Sequence, residues 1–155
     1  MRYQEEQKSL PIIIIAVAVI AIFVLPFSIY KTLMDPTIPL WTPILLIALE
    51  GVFIFVFANF YKLKIKVDEE YLEFGFGLIK KRFKRQDIIS CEPYQLKFGN
   101  YLGMGIRIGS DRTIAFNTRF GRGVKIRIEG KKRAYVLTTN DPQALCVALR
   151  RLKLA

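Results

Sequence analysis

The first sixty residues contain two long stretches of apolar side chains. From Ser9 to Tyr30 the chain has 22 consecutive uncharged residues, bounded by Lys8 and Lys31. As a helix this stretch is roughly 33 Å long, enough to cross a hydrocarbon core of about 30 Å. A cleaved signal peptide is the alternative, but its apolar segment is normally shorter, and the sequence has no Ala-x-Ala cleavage pattern. The pattern therefore predicts a retained span over residues 9–30, with Pro26 loosening its last turn.

The second apolar stretch lies between Asp35 and Lys62 and contains a single charged residue. The pair Thr42-Pro43 is typical of a helix N-cap and first helical position, which places the second helix over residues 43–61. The connection, residues 31–41, is short and contains two prolines. We therefore predict a tight transmembrane helical hairpin as the first domain, residues 1–61.

Glu50 lies near the middle of the second span, where an ionisable side chain is costly. Such a group usually faces protein, is protonated, or marks an ion or substrate path. Two helices leave no room for a path, and neither span has a Lys, Arg or His to pair with it. We therefore expect an intramembrane polar contact. In it, a neutral Glu50 hydrogen-bonds to the first helix or to a second copy of the chain in a homo-oligomer.

After residue 61 the apolar residues alternate with polar ones. Lysines alternate with Leu, Ile and Val over residues 62–67, which is typical of a half-buried strand. Further strands, separated by turn residues, are predicted at 72–76, 88–94, 105–108, 113–117, 124–129 and 134–138. About seven short strands predict a small antiparallel barrel or a bent sandwich.

The end of the chain has strong helix signals. Asp141 can cap a helix, and Pro142 suits its first position. The apolar residues that follow, at spacings of three and four, are Leu145, Ala148, Leu149 and Leu152. We predict an amphipathic helix that closes the open side of the β domain.

The charged residues are distributed unevenly, and their density changes near residue 61, where the apolar pattern also changes. The chain has 24 Lys plus Arg against 13 Asp plus Glu, a net charge of +11, but residues 1–61 hold only 3 basic and 4 acidic side chains. Many basic residues closely follow the second helix, whereas the loop between the helices has Lys31 alone. Loops that carry Lys and Arg near the ends of membrane spans stay on the cytoplasmic side. We therefore expect a multi-pass protein of the inner cell membrane with both termini in the cytoplasm.

The sequence contains no His and only two cysteines, Cys91 and Cys146. His is the commonest general base and transition-metal ligand, so its absence disfavours hydrolases and metalloenzymes. In a reducing cytoplasm the two cysteines are expected to be buried apolar fillers, and two thiols without clustered partners cannot form a zinc site. We predict no enzymatic activity, no metal and no cofactor.

The densest group of positive charge comprises Lys80, Lys81, Arg82, Lys84 and Arg85. Close to the inner leaflet these side chains can contact anionic membrane lipids. The alternative is a solvated strand whose charges protect a sheet edge. A nucleic-acid surface would interleave basic and aromatic side chains, and Phe83 is the one ring in this segment, so we do not expect nucleic acid as a partner.

Arg107 is a lone basic residue at the start of an apolar strand, and its guanidinium must find acceptors. We expect it to pair with a carboxylate of the β domain such as Glu92. The alternative is an anion from a ligand.

Four short segments together resemble a known group of proteins. In chain order they are Tyr101-Leu102-Gly103-Met104-Gly105-Ile106-Arg107, Ala115-Phe116-Asn117, Gly121-Arg122-Gly123-Val124 and Thr138-Thr139-Asn140-Asp141-Pro142-Gln143-Ala144-Leu145. Their order and spacing resemble prokaryotic pleckstrin-homology-like (PH-like) domain proteins anchored by a two-helix hairpin. The resemblance covers nearly the whole chain. It implies a seven-stranded, strongly bent barrel capped by a C-terminal helix, without enzymatic activity.

One segment departs from the PH-like domains that bind phosphoinositides. Those domains grip phosphates with basic residues on and around the first hairpin loop, whereas this chain has Asp68-Glu69-Glu70. An acidic loop repels phosphate, which argues against that mode of headgroup binding.

These features predict an α+β membrane protein. A transmembrane hairpin is followed by a PH-like antiparallel β-barrel with a C-terminal helix, residues 62–155. We expect a membrane-anchored binding or scaffolding module whose cytoplasmic domain recognises a protein partner or anionic lipid headgroups. The alternative is an accessory or regulatory subunit of a membrane transport or export complex.

Overall fold

The computed structural model describes residues 3–9 and 11–150. Its first long helix consists of α1, Pro11–Val19, a π-helical segment, Ile20–Val24, and α2, Leu25–Met34. Pro26 has no N–H to donate, and the wider π-helical turn just before it rearranges the hydrogen bonds at that point. The helix therefore continues past residue 30, where we predicted its end.

The second long helix, α3, comprises Trp41–Phe60. Leu40 is its N-cap and makes no side-chain capping bond, so the predicted Thr42 cap is wrong. Pro43 is tolerated because the N–H groups of a first helical turn have no helical acceptor. Before the helix, the Asp35 carboxylate accepts hydrogen bonds from the N–H and hydroxyl of Thr37, at 2.9 and 2.6 Å. This side-chain turn helps to reverse the chain within the short connection.

Both long helices expose apolar side chains. The segments Ile14–Met34 and Trp41–Phe60 are long and apolar enough to cross a membrane. Among their described side chains, Pro43 in α3 is the buried one. The β domain therefore leaves the apolar surface of the helices uncovered.

The first sheet contains four antiparallel strands: β1, Tyr3–Lys8, β2, Lys62–Val67, β3, Tyr71–Phe76, and β4, Ile79–Lys84. β1 was not predicted, because its residues Tyr-Gln-Glu-Glu-Gln-Lys are polar on both faces. β1 pairs with β2 along its whole length, and Ser9 N–H continues the ladder to the carbonyl of Tyr61 at 3.0 Å. The helical hairpin is therefore inserted between two neighbouring strands.

The second sheet contains β5, Ile88–Leu96, β6, Gly105–Ile108, β7, Ile114–Asn117, β8, Gly121–Ile128, and β9, Tyr135–Thr138, in the order β5-β8-β9-β7-β6. β9 lies between β8 and β7 and is parallel to β7. A short helix, α4, Phe98–Tyr101, precedes β6.

The mixed α and β content is confirmed, but the closed antiparallel barrel is not what forms. Among the described residues, no strand of the first sheet pairs with one of the second. A 3-10 turn, Arg85–Asp87, takes the chain from β4 to β5, so the edges of the two sheets stay separate. The domain is a two-sheet structure, as in our alternative of a bent sandwich.

The core lies between the two sheets and the C-terminal helix α5, Pro142–Arg150. The predicted alternation holds, because Leu63, Ile65 and Val67 of β2 are fully buried. The Asp141 carboxylate caps α5 by accepting the N–H of Ala144 at 2.9 Å. Leu145 and Leu149 of the predicted stripe are buried, and Leu152 lies outside the described residues.

Polar contacts attach β1 to the second sheet. The Glu5 carboxylate accepts hydrogen bonds of 2.6 to 2.8 Å from Tyr3, Gln7, Thr139 and the Asn140 N–H. The buried Gln7 also donates to the carbonyl of Thr138 at 2.8 Å. Burial raises the pKa of Glu5, but the four hydrogen bonds outweigh it and hold the pKa below the ordinary value of 4.5. A polar network therefore fixes a strand that has little apolar surface.

The two cysteines form a disulfide between β5 and α5, with Cα atoms 5.4 Å apart. Cys91 and Cys146 are buried, as predicted, but the expectation of two unpaired thiols is wrong. The physical reason is that packing of α5 on β5 brings the two Cα atoms within bridging distance. The bridge covers a sequence separation of 55 residues.

We expect Glu5→Gln to destabilise the protein by about 1–3 kcal/mol at neutral pH, because charge-assisted hydrogen bonds are lost. The pKa of Glu5 is lower in the folded than in the unfolded chain. Its contribution is therefore complete above about pH 4.5 and disappears as the pH falls through the folded value. Thermal unfolding of the full chain in detergent, from neutral pH downward, measures both effects.

Glu6→Gln is the matched control, since Glu6 lies on the opposite, exposed face of β1. Its effect on the unfolding temperature should be much smaller. Equal effects of the two substitutions, or an unchanged acid dependence in Glu5→Gln, would contradict the assigned role of Glu5.

Reduction of the disulfide should lower the free energy of unfolding by about 4 kcal/mol, because a closed loop of this length restricts the unfolded chain. Unfolding of the full chain in detergent, with and without reductant, measures the difference. The double variant Cys91→Ala with Cys146→Ala should not respond to reductant. A wild-type protein that unfolds identically in both conditions would count against the bridge.

Candidate lipid-binding surface

The five basic residues singled out in the sequence do not share one surface. Lys80, Lys81, Arg82 and Lys84 are exposed on β4, an edge strand of the first sheet. Successive side chains of a strand point to opposite faces, and Phe83 packs against the core. Lys81 therefore lies on the core side of the sheet edge, and the other three point outward.

Arg85, the fifth residue, is buried, with 8% of its surface exposed. Its guanidinium donates to the carbonyl of Asp68 at 3.0 Å and to the carbonyl of Ala148 near the end of α5. The 3-10 turn after β4 directs this side chain inward. The expectation that Arg85 belongs to an exposed basic group is therefore wrong, and the residue instead holds α5 against the first sheet.

Strand pairing adds lysines from the two neighbouring strands. Lys64, Gly75 and Lys80, for example, form one row across β2, β3 and β4. The outward residues form a surface that we call the outer basic face: Lys8, Lys62, Lys64, Lys66, Lys80, Arg82 and Lys84. Glu6 and Glu73 are the acidic residues that these strands place on the same surface. Basic residues outnumber them seven to two.

Weak ion pairs leave most of this charge available. Glu6 lies 2.9 Å from Lys62 and 3.1 Å from Lys64. Asp68 lies 3.1 Å from Lys66, and Glu73 lies 3.8 Å from Lys80. Exposed pairs of this kind contribute about 0–1 kcal/mol. The outer basic face can therefore bind anions without first breaking a strong internal interaction.

The lysines of β2 were not among the predicted site residues. Their alternation over residues 62–67 placed them on one face of a strand but gave no information about the strands beside it. The pairing of β2 with β3 and of β3 with β4 places them beside Lys80 and Arg82.

The directions of the strands show which part of the outer basic face lies close to the helices. Lys8 and Lys62 lie at the helix end of the first sheet, because α1 follows β1 closely and α3 leads directly into β2. The acidic loop 68–70 lies at the opposite end, after β2 has crossed the sheet. Positive charge therefore extends from the helix ends, and the acidic loop is kept away from them.

Glu50 is half-exposed on α3. Within residues 3–9 and 11–150 it has no hydrogen bond or ion pair, so the contact expected with the first helix is not formed. The neighbouring Gly51 has open space around it. A contact with a second copy of the chain stays a prediction.

Arg107 does not pair with Glu92, because β6 and β5 form opposite edges of the second sheet. Its Nε donates to the carbonyl of Met104 at 3.2 Å, and the side chain is exposed. An apolar cleft of about 380 Å³ lies beside it, between β6 and α3. The second sheet therefore approaches the end of α3 as well.

Comparison of the chain with protein-family models, with curated proteins and with solved structures finds no match. The geometry of the chain itself must therefore support any assignment of function.

Proposed function

We propose that this chain is a membrane-anchored, non-enzymatic binding module of the PH-like class. The helical hairpin spans the bilayer twice, and the outer basic face contacts anionic lipid headgroups of the same membrane. The main support for the proposal is that the outer basic face begins directly at the ends of the two long helices. A two-sheet domain that ends in a packed helix supports the PH-like assignment.

The helices support anchorage by their length and exposure. Ile14–Met34 and Trp41–Phe60 contain 21 and 20 residues, which as helices are about 30 Å long, the thickness of a hydrocarbon core. Their apolar side chains are exposed, and an exposed surface of this size is unfavourable in water. Burial of these side chains in lipid removes the unfavourable free energy of exposing them to water.

The outer basic face supports lipid contact by its position. A strand rises about 3.3 Å per residue, so Lys64 and Lys80 lie about 7 Å along the sheet from the row of Lys62, and Lys66 and Arg82 about 13 Å. A surface potential falls off within a Debye length of about 8 Å at physiological salt. The two rows nearest the helices therefore contribute most to lipid attraction, at about 1 kcal/mol per basic residue.

Nucleic acid is a poorer ligand for this surface. Tyr71 is the aromatic residue that the described strands place on it, and the guanidinium of Arg82 lies 4.0 Å from the centroid of that ring. The ring is therefore covered, whereas single-stranded nucleic acids need free rings for stacking.

We propose that the domain faces the cytoplasm. The loop between the helices has Lys31 as its one basic residue, whereas many basic residues follow the second helix. During membrane insertion, segments rich in Lys and Arg stay on the cytoplasmic side.

The disulfide by itself favours an oxidising compartment. Cys91 and Cys146 are 2% and 5% exposed, however, and a reducing thiolate needs access to attack a bridge. Burial therefore protects the disulfide from cytoplasmic reductants.

We also propose self-assembly through the spans. Glu50 has no partner within the described part of the chain, and an unpartnered carboxyl is costly in lipid. A second copy of α3 would supply a hydrogen-bond acceptor beside the small residue Gly51.

The lipid proposal predicts selective enrichment of anionic lipid around the wild-type protein. The full chain is reconstituted in vesicles of phosphatidylcholine and phosphatidylglycerol and extracted with its surrounding lipid in polymer discs. Lys64→Glu with Lys80→Glu should lower the preference for phosphatidylglycerol by at least about thirtyfold, because two attractions of about 1 kcal/mol each are lost and repulsion replaces them. Lipid mass spectrometry of the discs measures the composition.

Lys131→Glu with Lys132→Glu is the control of equal charge change. These exposed residues follow β8, whose end pairs with Ile88 far from the helices. They should leave the lipid composition unchanged. Equal loss in both double variants, or no enrichment around the wild type, would reject the outer basic face as the lipid contact.

A further inference from the structure

The turn between β3 and β4 is packed against the end of α3. Gly77 lies in this turn with a φ of +40°, which favours glycine. A Cβ atom there would lie 2.6 Å from Oδ1 and 2.9 Å from the backbone oxygen of Asn59, next to the last residue of the helix. The close approach of the turn to α3 therefore requires glycine at this position.

Asn59 fixes the turn at the level of the helix end. Its Oδ1 accepts the N–H of Leu78 at 3.2 Å, and its Nδ2 donates to the carbonyl of Phe55 at 2.9 Å. Both sides of the amide are thus used, one within α3 and one toward the turn. The rings of Phe60 and Phe76, 5.5 Å apart, pack the helix end against β3 beside it.

The tip of this turn is apolar and uncovered. Leu78 is 78% exposed and Ile79 is 44% exposed, although turns normally carry polar residues. Lys80 and Lys81 follow directly, and there is no acidic residue between 74 and 86. An exposed apolar tip with basic residues behind it is suited to an anionic membrane surface, where rings and aliphatic groups enter the interface and ammonium groups stay with the phosphates.

We propose that the β3–β4 turn is a third membrane contact, in which Leu78 and Ile79 enter the interfacial zone of the bilayer that holds the hairpin. This inference rests on the membrane anchorage proposed above. Because Asn59 ties the turn to α3, the tip lies at the depth where the helix leaves the lipid. The turn keeps the domain from tilting away and holds the row of Lys64 and Lys80 near the headgroups.

Quenching of tryptophan by brominated lipid tests this contact on the full chain. In a Trp41→Phe background, single tryptophans are introduced by Leu78→Trp, by Phe55→Trp within α3, and by Ile89→Trp. Phe55 and Ile89 are 60% and 57% exposed, and Ile89 lies at the end of the domain away from the helices. Emission is compared in vesicles of ordinary and of dibrominated phosphatidylcholine, each with the same fraction of phosphatidylglycerol.

The inference predicts that the Leu78→Trp and Phe55→Trp proteins lose emission in brominated lipid and that Ile89→Trp does not. Leu78→Trp should also emit at shorter wavelength than Ile89→Trp. Quenching of Phe55→Trp without quenching of Leu78→Trp overturns the turn contact and leaves the anchorage intact. Absence of quenching in both contradicts the anchorage itself. Ile79→Trp provides a second probe of the turn if Leu78→Trp does not fold.

Discussion

Antiparallel pairing of β1 with β2 attaches both ends of the helical hairpin to the first sheet. The ladder continues through Ser9 and Tyr61, so the chain leaves the sheet into the first helix and returns from the second at neighbouring points. Both open ends of the hairpin are therefore fixed at the same end of two neighbouring strands. If the hairpin lies in a bilayer, the domain must lie against one surface of it. A flexible linker would allow the domain to move freely, but no such linker occurs between α3 and β2.

The other contacts follow from this arrangement. In the proposed orientation, strands that start at the helix ends carry their outward lysines away from the membrane in rows, so lipid attraction would decrease with distance along the sheet. The apolar turn at Leu78 lies at the helix end because β3 runs back toward it. At the far end, Arg85 and the disulfide between Cys91 and Cys146 hold α5 on the domain. In the proposed arrangement the helix end of the domain contacts the membrane, and the contacts at the far end maintain the fold.

Much of the fold could be predicted from the sequence, because periodicity predicted the strands from β2 onward apart from β4, and Asp141-Pro142 marked the start of α5. β1 could not be predicted, since a strand fixed by the polar contacts of Glu5 and Gln7 lacks an apolar pattern. The site was predicted only in part. The basic segment Lys80 to Arg85 does not reveal that a 3-10 turn directs Arg85 inward. The lysines of β2 lie beside the basic residues of β4 only because both strands pair with β3. The disulfide forms because α5 packs on β5, and the sequence positions of the two cysteines do not predict that packing.

In the proposed topology the chain crosses the membrane twice, and its two termini lie on the same side. Reporter fusions at each terminus of the full chain measure this topology. One reporter is a fluorescent protein that matures only in the cytoplasm, and the other is an alkaline phosphatase that is active only outside it. We expect fluorescence and no phosphatase activity from both termini. Reporters that place the two termini on opposite sides of the membrane would contradict this topology.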